Sequence, residues 1–199
     1  LDENLKTLLL LNSLEGQGRK LWFALKRGLI SHDELWKCNA KLFTELGITE
    51  RTIVAIKTKI DMRWAEIEME KCLKLDIRAV GIEDEDYPAK LNDLNDPPLI
   101  LYWHGSEKRI PHKCIGAVGT RRASTYGRRT ALRIGEYCAH AGIPLISGGA
   151  SGIDGIAHMG ACTSGGKTFA VFGTGADVYF PQSNANLFRE ISDCGALIS

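Results

Sequence analysis

The stretch that decides the fold is Cys114-Ile115-Gly116-Ala117-Val118-Gly119-Thr120-Arg121-Arg122-Ala123-Ser124-Thr125-Tyr126-Gly127. A short apolar run stops at Gly119-Thr120. Two arginines follow, and Ser124 and Gly127 stand ahead of an amphipathic segment. That order predicts a buried strand, a tight turn and a helix start. Backbone N–H groups at such a turn lack partners, and the helix dipole adds positive potential. Arg121 and Arg122 add fixed charge at the same spot. The turn therefore reads as an anion site, most naturally for phosphate.

Towards the C-terminus the same grammar repeats. A helix is expected near 125–140, stopped by Gly142, then a strand over 143–147. Gly148-Gly149-Ala150-Ser151-Gly152 is a second glycine turn, with a helix over 153–162 behind it. Gly165-Gly166 turns the chain into a strand over 167–172, and Gly173-Thr174-Gly175 is a third glycine turn. A helix over 184–193, stopped by Gly195, leads to a strand over 196–198. Strands alternating with helices of this length predict an α/β fold: a Rossmann-like parallel sheet with helices on both faces. Right-handed crossovers then bring all three glycine turns to the carboxyl edge of the sheet. Three such loops in register predict an extended phosphate-binding groove.

Towards the N-terminus the character changes. Residues 1–72 read as a small all-helical domain, with leucines at 5, 8, 9, 11 and 14, and a longer helix over 60–75. A Gly16-Gln17-Gly18 turn between helices, echoed at Leu46-Gly47-Ile48-Thr49, suggests a helix-hairpin-helix. Such a turn grips DNA phosphate, although glycine turns in plain helical packing give the same pattern. Residues 73–113 form a linker with lead-in strands over 77–82 and 99–103. An acidic solvated turn lies at 83–86, and Tyr87-Pro88 and Asp96-Pro97-Pro98 are rigid punctuation. Residues 114–199 are the Rossmann-like domain.

Composition narrows the function. The 199 residues are 44% hydrophobic and 25% charged, with a formal net charge of +1. A generally basic nucleic-acid coat is excluded, so any nucleic-acid binding must come from a local cluster. No apolar run approaches the roughly 20 residues that span a bilayer, and a cytoplasmic protein without a membrane role is expected. The six cysteines form no CxxC pair, so no metal site is expected and reduced thiols are.

Within the groove, Gly119 and Thr120 offer N–H and hydroxyl groups, and Arg121 is the bidentate phosphate clamp. Arg122 is expected to face solvent. Ser147, Gly148 and Gly149 end the second strand, where missing Cβ atoms let a ligand approach the backbone. Asp154 reads as a charge that complements the helix dipole and pins the loops; His158 reads as a packed helix residue. Asp177 is expected to orient the third loop or to touch a base or ribose. Phe172, Tyr179 and Phe180 are candidates for base stacking, with core packing as the competing role. No Gly-x-Ser-x-Gly elbow, P-loop lysine, HExxH or GxGxxG fingerprint is present.

Taken together, residues 118–127, 147–154 with Ala157-His158, and 173–181 with Asn184 resemble the DprA/Smf DNA-processing proteins. Asp86-Tyr87-Pro88, Leu91 and the segment from Asp96 to Gly105 resemble that family's lead-in, and an N-terminal helical domain of SAM or helix-hairpin-helix kind is typical of it. The resemblance implies a non-enzymatic single-stranded DNA-binding protein of natural transformation. Such proteins protect incoming strands and load the RecA recombinase, and homodimers are expected. It assigns the family's arginine to Arg121, its loop glycines to Gly148, Gly149 and Gly152, and its third-loop residues to Gly173, Gly175 and Asn184. No cofactor is implied. Two departures stand out. Gln182 occupies the place where many members carry lysine. The chain also ends at Ser199, where the family continues, so the C-terminal part of the sheet is expected to be missing. The alternative is a nucleotide phosphoribohydrolase-like enzyme, for which Gly148-Gly149-Ala150 is only a partial echo of the required motif. A third possibility is a small-nucleotide-binding or scaffold protein.

Overall fold

The computed structural model describes residues 2–14, 17–59 and 61–199, with the side chains of residues 59 and 62 left aside. Glu15 and Gly16 of the first glycine turn lie outside the described residues. The chain divides into two compact units, residues 1–74 with 81–100, and residues 75–80 with 101–199.

The first unit is helical: α1 (Glu3–Asn12), α2 (Gly18–Lys26), α3 (His32–Lys37), α4 (Ala40–Glu45), α5 (Glu50–Lys59) and α6 (Met62–Lys74). Its ends are set by short polar side chains that take up orphan N–H groups. Asp2 caps α1, Asn39 caps α4, and Ser31 with Glu34 forms a capping box on α3. Leu8 to Leu11, Leu21, Trp22, Leu35 and Phe43 are buried. At the 46–49 turn, Gly47 has φ +65°, its carbonyl accepts from Lys20 Nζ, and Gln17 Oε1 accepts from the Thr49 N–H at 3.1 Å. Thr49 Oγ1 accepts from the Thr52 N–H, as expected of a cap. The Thr49 N–H that a phosphate would need is thus already used within the unit.

The second unit is built on a six-stranded sheet of β1 (Arg78–Gly81), β2 (Ile100–His104), β3 (Ile115–Gly116), β4 (Leu145–Ser147), β5 (Thr168–Val171) and β6 (Ala196–Ile198), in the order β1-β2-β6-β5-β4-β3. From β3 to β6 the strands are parallel, and β2 runs antiparallel to β6. The connecting helices are α7 (Thr125–His140), α8 (Ile153–Thr163) and α9 (Ala185–Cys194). Ser124 caps α7 by accepting from the Gly127 N–H, and Gly142 at φ +64° ends it. The fold is the expected α/β class: a Rossmann-like sheet flanked by helices, preceded by an all-helical region.

Strand order refines the layering. β3 to β6 follow one another across the sheet in chain order, so right-handed crossovers bring α7, α8 and α9 to one face. On that face Leu145 packs with Ala131 and Cys138 of α7 and Ala157 and Ala161 of α8. Ala170 and Leu197 pack with Phe188 and Ile191 of α9. Phe169, on the opposite face, meets the Trp103 ring edge-on, with centroids 6.2 Å apart. α7 and α8 cross closely: a Cβ on Gly135 would lie 2.2 Å from the Ala157 carbonyl oxygen, and one on Gly160 would lie 2.3 Å from that of Leu132. This backbone-to-backbone packing fixes how α8 presents its first turn to the sheet edge.

Candidate nucleic-acid interface

The parallel strands β3, β4 and β5 deliver three loops to one edge of the sheet: 117–124, 148–152 and 172–184. Asp154, in the first turn of α8 and only 6% exposed, ties the first two together. Its Oδ1 accepts from the Gly119 N–H and its Oδ2 from the Gly148 N–H, both at 3.2 Å. The Thr120 carbonyl accepts from the Ile153 N–H, and Ser147 Oγ donates to the Ala117 carbonyl at 2.6 Å. Asn184 Nδ2 donates to the Gly149 carbonyl at 3.0 Å and so ties the third loop to the second. Asp154, Ser147 and Asn184 therefore form the frame of the site. The N–H groups of Gly119 and Gly148 are spent on that frame, leaving other groups to face a ligand.

Glycine is required where the loops touch. Gly152 has φ +87°, and a Cβ there would lie 2.3 Å from the Thr120 carbonyl oxygen. Gly149, at φ +66°, faces Phe188 and Phe172. At Gly119 a side chain would run into Ile153. At Gly175 it would meet the Asp177 carboxylate, which folds over the third turn. Gly173 alone among the loop glycines of the site has open space where a Cβ would be.

Between the loops lies an open pocket of about 310 Å³, lined among others by Arg121, Gly148, Ser151, Gly173, Thr174 and Phe180. Arg121 and Arg122 are exposed and have no ion-pair partner among the described residues. Only Arg121 lines the pocket. The Thr120 hydroxyl accepts from the Arg122 N–H and keeps its own proton to donate. Of the three aromatic candidates, Phe172 and Tyr179 pack on Phe188, at centroid distances of 4.8 and 5.5 Å. Phe180 is 65% exposed beside the pocket. A larger cavity of about 680 Å³ lies in the helical unit between Gln17, Thr49 and Thr52. It lacks the converging glycine loops.

Behind the loops, His158 is fully buried. Thr168 Oγ1 donates its single proton to the Leu145 carbonyl, so it accepts from His158 Nδ1 at 2.7 Å. The ring is then the neutral Nδ1–H tautomer, with Nε2 unpartnered. Burial drives the pKa down to about 4, against the opposing pull of the Asp154 carboxylate and the Ser147 carbonyl. Below the ordinary value of 6.5 the unfolded chain takes up a proton that the folded chain refuses. Stability is therefore full above pH 6.5 and drains away as pH falls towards 4, by about 3 kcal/mol from this group. Urea unfolding at pH 7 and pH 4.5 should show that loss, and His158→Gln should flatten it; an equal slope in both proteins would contradict it. Sequence reading placed His158 correctly in the packing but missed Thr168. A lone polar residue in the run Thr168-Phe169-Ala170-Val171 was the available signal. It also missed Thr174, whose hydroxyl donates to the Val178 carbonyl and braces the third loop.

The edge of the Rossmann-like sheet thus brings together three interlocked glycine loops, an arginine without an ion-pair partner among the described residues, and an open pocket. The sequence model of the family described as DNA recombination-mediator protein A matches residues 78–199, and the chain belongs to that family. It is 37% identical over 123 residues to Protein Smf of Synechocystis, covering 59% of this chain and 30% of the relative. It is 36% identical over 107 residues to the DNA processing protein DprA of Streptococcus pneumoniae, covering 54% of this chain and 38% of the relative. The X-ray structure of the S. pneumoniae protein superposes with a TM-score of 0.75 at 27% identity, over 99% of this chain and 65% of that one. DNA processing protein A of Helicobacter pylori, described for its single-stranded DNA binding mode, superposes with a TM-score of 0.55 at 27% identity, over 63% of this chain and 55% of that one. The sequence alignments thus cover less than half the length of these two curated relatives. Among the described residues, no helix is long and apolar enough to cross a membrane.

Proposed function

We propose that this protein binds single-stranded DNA without sequence preference, through phosphates held in the pocket between the three glycine loops. The observation that carries the reading is the unpaired Arg121 on the wall of an open, loop-framed pocket, in a family with a relative described as binding single-stranded DNA. Arg121 clamps one phosphate. The Thr120 hydroxyl and the open backbone at Gly173 meet the strand beside it, and exposed Phe180 offers a face to a base. Gly119, Ser147, Gly148, Gly149, Gly152, Asp154, Gly175 and Asn184 hold the loops in the geometry this requires. In the functional division we propose, residues 114–199 carry DNA, residues 73–113 lead into that domain, and the helical residues 1–72 serve packing or interaction.

By the same reading the protein acts in the cytoplasm during DNA transformation. It shields incoming single strands and passes them to the RecA recombinase, and it works as a homodimer. The role is one of binding and not catalysis: the carboxylate buried at the loops, Asp154, has both oxygens committed to backbone N–H groups. Arg121→Ala should weaken oligo-dT binding by about 1–3 kcal/mol, the range for a lost charge-assisted contact, with the unfolding midpoint unchanged. An affinity equal to that of the parent would remove Arg121, and with it this pocket, from the site. Release of free base from a nucleoside monophosphate would favour the hydrolase instead.

A further inference from the structure

α7 has a face that the fold does not use. Ala131, Gly135 and Cys138 turn towards the core. Tyr126, Arg129, Arg133 and Tyr137 fall on the opposite side, within about 80° of one another at 3.6 residues per turn. All four are exposed, Tyr126 at 81% and Tyr137 at 65%. Neither arginine side chain has a hydrogen bond or ion pair among the described residues. Exposed tyrosines add little to a helix, since aromatic residues are poorer helix formers than alanine.

Charge on this segment is one-sided. Residues 121–133 hold five arginines and no acid; the next acidic residue is Glu136. The other residues have 20 Lys and Arg against 24 Asp and Glu, out of the chain's 25 and 24. The positive charge of a nearly neutral protein is therefore concentrated on the first loop and the outer face of α7. Such a surface complements a polyanion. Free aromatic faces between the charges fit a strand whose bases are unstacked: rings take bases while guanidinium groups take phosphates.

We infer that the outer face of α7 extends the loop pocket into a track for further nucleotides of the same single strand. Tyr126 and Tyr137 stack bases, and Arg129 and Arg133 neutralise phosphates. The track begins five residues after Arg121 and runs about 16 Å along the helix at 1.5 Å per residue. The inference rests on the reading of the pocket as a single-stranded DNA site.

The test compares dT6 and dT20 in the parent protein, in Tyr126→Ser/Tyr137→Ser and in Arg129→Glu/Arg133→Glu, with circular dichroism to check folding. The tyrosine pair leaves net charge unchanged and isolates stacking. It should leave dT6 binding within about twofold of the parent and weaken dT20 about tenfold. The arginine pair should weaken dT20 more than tenfold and reduce its salt dependence, because each lost phosphate contact releases fewer counterions. If dT6 binds and dT20 binds equally well to all three proteins, the track is overturned while the pocket stands. If the parent binds neither oligonucleotide, the pocket reading fails and the track falls with it.

Discussion

Asp154→Ala is expected to lose about 3 kcal/mol of folding stability and most single-stranded DNA binding. The side chain is buried, and its two oxygens accept from N–H groups of two different loops. Truncation removes two part-buried hydrogen bonds to a carboxylate, from the Gly119 and Gly148 N–H groups, each worth about 1.5–3 kcal/mol before solvent takes up the freed donors. Asp154→Asn separates the frame role from simple charge. It keeps the volume, but one amide oxygen serves a single N–H while the NH₂ group faces the other, so a loss of about 2 kcal/mol is expected. It also removes a negative charge near the proposed phosphate site. If repulsion of DNA were the carboxylate's main effect, the Asp154→Asn variant would bind oligo-dT more tightly than the parent. If holding the loops is its role, the variant binds more weakly. Denaturant unfolding with fluorescence anisotropy on the same samples distinguishes the two.

Gly152→Ala is the second large effect. At φ +87° and ψ −129° an alanine is strained by itself, and its Cβ would sit 2.3 Å from the Thr120 carbonyl oxygen. Backbone strain and collision together should amount to about 3 kcal/mol or more, with the first loop pushed off the second. Gly165→Ala is the matched control. Gly165 also has positive φ, +71°, but nothing lies within 4 Å of its would-be Cβ. Strain alone should make it about 1 kcal/mol less stable, with DNA binding unchanged. Equal losses of stability and binding in the two variants would show that contact between the loops contributes nothing.

The sequence carried the elements well because each is bounded by a local signal. Ser124 and Gly142 mark the ends of α7 as capping chemistry requires, and Gly195 separates α9 from β6. The arrival of three glycine turns at one sheet edge follows from parallel strands joined by right-handed crossovers, and this too was legible. Strand order was not: alternation of strand and helix is the same whether successive strands step one way across the sheet or reverse, and only the stepping decides which face the helices cover. The division of labour inside the site was also hidden. A glycine followed by a helix looks the same whether its N–H faces a ligand, as the opening reading of Gly119 supposed, or an internal carboxylate, as Asp154 provides from 35 residues away. The same limit applies to aromatics. Phe172, Tyr179 and Phe180 lie close together in the chain, and only the packing of α9 leaves Phe180 exposed while burying Phe172 and engaging Tyr179.

If the pocket around Arg121 holds successive phosphates of a single strand, affinity depends on strand length and on salt. The most direct measurement is the affinity for a mononucleotide and for oligo-dT of increasing length, each from low to high salt. Binding should tighten steeply from the mononucleotide to several nucleotides and weaken linearly in the logarithm of salt concentration, as counterion release demands. A mononucleotide that binds as tightly as the oligonucleotides, with affinity indifferent to salt, would contradict it.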